Sequence, residues 1–116
     1  MQAPGTLNLT LPQGATWDVS LTWNDSTGSP VNLTGYTAAM QVRESYTDAV
    51  PVVSLTAGSG ITLGGTAGTI GITVGAATTA GVAAGNYVYD LELVSGGGVV
   101  TRLVQGSVVV TPEVTR

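Results

Sequence analysis

Apolar residues recur at every second position along most of this chain, and that pattern restricts it to β structure. Apolar side chains fall at Leu7, Leu9 and Leu11, then at Trp17, Val19, Leu21 and Trp23, with polar residues between them. The alternation returns at Tyr36, Ala38, Met40 and Val42, and again at Tyr87, Tyr89, Leu91 and Leu93. Each run sets one face of a half-buried strand against solvent. Between the runs lie turn residues: Pro12 and Gly14, the stretch 24–30 (NDSTGSP), the Thr34-Gly35 bend, and SGGG at 95–98. Asn and Asp bond back to the backbone there, Gly takes positive φ, and Pro fixes its own φ.

Shorter strands are expected at PVVSL from Pro51, at Ile61–Leu63 and at Thr69–Val74, and a last long one over 99–110. Pro51 suits the first position of an edge strand, where its missing N–H is harmless. Gly106, inside the last strand, marks a bulge or a close backbone approach. The Ala-rich stretch 75–85 is the single helical candidate and is expected to give one or two turns held by packing of Val82. The count is about eight short strands with one short helical turn, which points to an antiparallel sandwich or small barrel. At 116 residues the chain is a single domain over 1–116, with 111–116 read as a C-terminal tail.

The side chains that most enzymes depend on are missing. The chain has no Cys, no His and no Lys, which removes thiol nucleophiles, disulfides, the commonest general base and the phosphate-loop lysine. Seven acidic residues against Arg43, Arg102 and Arg116 leave a net charge of −4, so neither nucleic acid nor an anionic membrane is an expected partner. Charged residues make up 9% of the chain, where about 25% is usual, while 43% is hydrophobic. Disorder does not account for this, because it needs low hydrophobicity and high net charge. A surface so poor in charge is expected to be covered by other protein. The opening MQAPGTLNLTLPQG has neither the basic nor the apolar part of a secretory signal, and no run is long enough for a membrane-spanning helix.

Several motifs have both a functional and a plain reading. The glycine strings at 58–60, 64–65 and 96–98 connect strands and are turn glycines, not phosphate loops. Asp25 with Asn24 and Ser26 offers oxygens to a hard cation, but one carboxylate in a turn reads as an Asx turn. Asp90 and Glu92 share a strand face and are the only close carboxylate pair. A glycosidase would need such a pair across a cleft, whereas a solvated face opposite Arg102 asks for nothing more. Trp17 and Trp23 on one strand face offer a sugar-stacking platform or, by default, core. The Asn-Xaa-Thr/Ser matches at Asn8, Asn24 and Asn32 are chance in a Thr-rich chain without a secretory signal. No catalytic residue, metal ligand or cofactor site is expected.

The segments LPQGATWDVSLTW, VNLTGYTAAMQVR and GNYVYDLELVSGGGVVTRLVQGSVVVTPEVTR resemble small tailed-phage proteins, above all the N-terminal β-sandwich domain of phage baseplate upper proteins. The most specific pieces are Leu33-Thr34-Gly35-Tyr36 running into Met40-Gln41-Val42-Arg43, and Gly85 to Leu91. The resemblance covers almost the whole chain. It implies an immunoglobulin-like antiparallel sandwich and a non-enzymatic virion component joining a tail fibre or receptor-binding element to the tail or baseplate. Baseplate upper proteins continue into further regions, and this sequence ends at Arg116, so a capsid decoration role is one alternative; a carbohydrate-binding module using Trp17 and Trp23 is another, read from the residues alone. Expected partners are other virion proteins and copies of the chain itself. The contact surfaces expected are Tyr46 as an exposed anchor, Pro51 and Val52 at an edge strand, and Glu113, Val114 and Arg116 in the tail.

Overall fold

A computed structural model describes residues 5–114. The elements run β1 (Gly5–Thr6), β2 (Leu9–Pro12), β3 (Trp17–Thr22), β4 (Thr37–Arg43), β5 (Val53–Ala57), β6 (Gly60–Leu63), β7 (Thr69–Val74), α1 (Ala76–Ala80), β8 (Gly85–Val94) and β9 (Val100–Thr111). The chain is all-β. The nine strands of the described residues form one sheet in the order β1-β9-β8-β4-β5-β6-β7-β3, with β2 also on β9. The sheet curls into a half-barrel, in place of two hydrogen-bonded sheets.

The alternation appears as burial. Ala38, Met40 and Val42 on β4, Tyr87, Tyr89, Leu91 and Leu93 on β8, and Ile70, Ile72 and Val74 on β7 point inward into one core with Trp17, Leu11, Ile61, Val108 and Val110. Their neighbours in sequence face outward. Met40, Val42, Leu91, Leu93 and Val108 are wholly buried where β4, β8 and β9 pair. Among the described residues no buried side-chain N or O lacks a hydrogen-bond partner.

Two features correct the expectation of purely antiparallel pairing. The N-terminal arm, β1 and β2, runs parallel to β9, with Gly5 opposite Val104 and Leu11 opposite Val110. First and last strands can pair in parallel without a dedicated crossover, because the whole chain lies between them. β6 runs parallel to β5 across a two-residue corner, where Gly58 (φ +86°) and Gly60 (φ +96°) turn the chain without reversing it. A Cβ at Gly60 would run into the Leu55 side chain at 2.6 Å, so the corner closes on a glycine.

Gly106 allows a close approach, as expected, but is not the bulge. A Cβ there would meet the Leu7 carbonyl oxygen, with Asn8 Oδ1 at 2.9 Å, so the arm crosses β9 where β9 has no side chain. Asn8 Oδ1 accepts from Ser107 N at 3.2 Å, and this crossing splits the expected first strand into β1 and β2. The bulge lies nearby: Leu91 pairs with Val104 and Glu92 with Arg102, leaving Leu103 extra on β9.

PVVSL is also corrected. β5 begins only at Val53, and it lies inside the sheet order, between β4 and β6. Pro51 has no N–H to give the ladder, and Val52 makes the last bond, from its N to Val42 O at 2.7 Å. α1 is one short turn, as expected, followed by Val82, which is buried. Thr79 Oγ1 donates to Ala15 O at 2.8 Å and ties α1 to the β2–β3 turn.

The Tyr89 hydroxyl donates to Leu7 O at 2.6 Å, and burial pushes its phenol up to about 12. The folded state therefore holds this proton more tightly than the unfolded chain, whose tyrosine titrates near 10. Its contribution to stability is complete below pH 10 and is lost as pH rises toward about 12. Melting temperatures taken from about pH 9 to 12 should fall across that window, and Tyr89→Phe should flatten the fall.

Candidate interaction surface

Strand direction gathers Tyr46, Pro51, Val52, Glu113 and Val114, the described members of the expected contact set, at one end. β4 runs out at Arg43 opposite Val88, while β8 starts at Gly85 opposite Val110 near the end of β9. The β4–β5 loop, the α1 segment and the C-terminal residues therefore share that end. Tyr46 and Val50 in the loop are 73% and 75% exposed, Val52 is exposed, and Val114 is 91% exposed.

The loop is exposed yet tied. Asp48 N donates to Ser45 O at 3.2 Å, and the Ser45 and Thr47 hydroxyls lie 3.2 Å apart. Arg43 Nη1 donates to Asp48 O and Nη2 to Gln41 Oε1, both at 2.6 Å. Pro51 stiffens its exit. The apolar side chains of this loop are thus presented on a fixed backbone.

Glu113 is clamped onto the molecule's own body. Its N donates to Gln13 Oε1 at 3.1 Å, Gln13 Nε2 donates to Val82 O at 2.8 Å, and Gln13 N donates to Thr111 O at 3.0 Å. Gly14 faces the Glu113 carboxylate, and a Cβ there would overlap it. Thr111, expected in the tail, belongs to β9, and of the described tail candidates Glu113 and Val114 only Val114 projects freely. Arg116 lies outside the described residues.

This end is acidic. Glu44, Asp48 and Glu113 lie on it, and Arg43 is already engaged. The Tyr87 phenol is raised by burial first and by the Glu44 charge second, and its hydroxyl donates to Ala83 O at 2.6 Å.

Trp17 is buried, its indole N–H donating to Thr10 O at 3.0 Å, and the half-buried Trp23 meets Tyr36 edge-on at a centroid distance of 6.1 Å. The two indoles form no stacking platform. Asp25 Oδ1 accepts from Thr27 N (2.9 Å), Thr27 Oγ1 (2.6 Å) and Ser29 N (3.1 Å), bonds that hold its carboxyl below the usual range. That is an Asx turn serving its own loop. Asp90 faces Arg102 across the hairpin, Nε to Oδ2 at 3.5 Å.

One juxtaposition is absent from the sequence pattern. Tyr46 lies beside the Asp90–Glu92 pair, and with Gln41, Arg43 and Val88 they line a hollow of about 230 Å³ on the outer face of β4 and β8. The signal is non-local: it needs the register that sets Gln41 opposite Asp90.

Among the described residues there is no cluster of three potential metal ligands, and no helix is long and apolar enough to cross a membrane. The chain matches no protein-family model, and no curated protein is similar to it in sequence.

Proposed function

We propose that this chain is a non-enzymatic structural subunit of a bacteriophage particle, joining a tail fibre or receptor-binding element to the tail or baseplate. The observation that carries the reading is the tied β4–β5 loop, which exposes the apolar side chains of Tyr46, Val50 and Val52 at the same end of the fold as the exposed Val114. Surface apolar groups on a fixed backbone lose little entropy when covered, which suits a permanent contact. The low charge of the chain and its resemblance to baseplate upper domains support the same reading.

The resemblance also carries the finer fold proposal. Folded at the Thr56–Ile61 corner, the half-barrel is a variant of a two-layer, immunoglobulin-like arrangement, with β8, β9 and β4 in one layer and β7 and β3 in the other. β3 keeps one edge free of partners among the described residues, and its outward Asp18, Ser20 and Thr22 are polar. Such side chains discourage strand addition. That supports the loop end as the surface for contacts with other virion proteins and with copies of the chain.

Immunogold labelling of intact particles tests the location. Gold on tails is the expected result, and gold on heads would replace the connector role with capsid decoration. Val50→Asp combined with Val52→Asp should reduce incorporation into particles about tenfold or more while leaving the fold intact, since both residues are exposed.

A further inference from the structure

We propose that the hollow between Tyr46 and the Asp90–Glu92 pair binds one ring of a neutral saccharide. Its walls carry both kinds of hydrogen-bonding partner. Gln41 Oε1 is occupied by Arg43 Nη2, which leaves the amide's two N–H donors free. Asp90 and Glu92, on the neighbouring strand, supply acceptors. A hydroxyl group donates and accepts at once, so vicinal hydroxyls match a wall of donors beside a wall of acceptors.

Charge argues for a neutral ligand. Two carboxylates, Asp90 and Glu92, stand with two guanidiniums, Arg43 in the wall and Arg102 on Asp90. An anion would face the carboxylates and a cation the guanidiniums, with no net attraction for either.

Tyr46 and Val88 supply the apolar part. The electron-rich face of the exposed phenol suits the weakly positive C–H face of a pyranose. At about 230 Å³ the hollow is smaller than the usual drug-sized pocket, which limits it to a single ring. The contacts are also set in advance: Arg43 is held by Asp48 O and Gln41, and Asp90 by Arg102. Fixed groups lose less freedom on binding. This site does not depend on the proposed role in a particle.

The test is a titration of the ¹⁵N-labelled full chain with the methyl glycosides of glucose, galactose, mannose and N-acetylglucosamine. Inorganic phosphate and calcium chloride are the charged controls. At least one glycoside should shift amides in 41–46 and 88–92 with a Kd on the order of 1 mM. Tyr46→Ala should weaken it about tenfold or more, while Tyr46→Phe, which keeps the ring, should not. Glu92→Gln, which keeps the shape and removes the charge, should weaken it severalfold. The proposal is overturned if no glycoside shifts these amides up to about 50 mM, if the shifts fall elsewhere, or if Tyr46→Ala binds like wild type. Saturation by phosphate or calcium without any response to sugar overturns it equally.

Discussion

Trp17→Ala should cost about 4 kcal/mol of folding stability, close to the upper end for a core truncation. Trp17 is 4% exposed and lies opposite Val74 in the β3–β7 ladder. Its loss opens a large cavity in a core whose other members, from Leu11 to Val110, belong to several strands and cannot all collapse into it. The indole N–H also reaches Thr10 O, linking the two ends of the curled sheet, β2 and β3. Trp17→Phe separates the two effects: it keeps most of the apolar volume, drops the hydrogen bond, and should cost about 1–2 kcal/mol. Urea unfolding followed by far-UV circular dichroism reads both. A loss under about 1 kcal/mol for Trp17→Ala would show that the ring is not in the core.

The second large effect is expected from adding a single methyl group. Gly106→Ala places a Cβ against the Leu7 carbonyl, which is backbone and cannot rotate away. Either β9 shifts or the N-terminal arm lifts, and the second outcome also releases the Tyr89 hydroxyl from Leu7 O. Overpacking and a lost buried hydrogen bond together should cost about 3 kcal/mol. Hydrogen exchange should speed up in 5–9, and Tyr89 should titrate closer to 10 than to 12. Gly71→Ala is the control, because a Cβ there meets only ordinary contacts, with Thr62 O at 3.8 Å. It should leave stability within about 1 kcal/mol of wild type. Equal effects at both positions would dissociate Gly106 from the seating of the arm.

These two residues also mark what could be read from the sequence. Period-two runs such as Trp17–Thr22 and Thr37–Arg43 announce strands because burial of one face is a local consequence of strand geometry. The run through Leu7, Leu9 and Leu11 carries the same signal, yet it does not say that the arm lies parallel to β9 or breaks at Asn8. Direction and partner are decided by residues about a hundred positions away, with Gly106 as the one local hint. The β5–β6 corner was equally hidden, since a glycine pair around Ser59 reads as a reversal.

The site was legible only in parts. Tyr46 stands out as an aromatic in a polar loop, and Asp90 and Glu92 as a carboxylate pair. That they line one hollow depends on the β4–β8 register. The clamping of Glu113 by Gln13 has no sequence signature, because a glutamine side chain can bridge two backbone segments in many ways.

The most direct test of the proposed role is quantitative mass spectrometry of purified particles, prepared with and without tails. This chain is expected in tailed particles at a fixed ratio to the other tail proteins, and is expected to disappear from tailless ones. Finding it only in the soluble extract of infected cells, monomeric and absent from every particle fraction, would contradict a structural role in the particle.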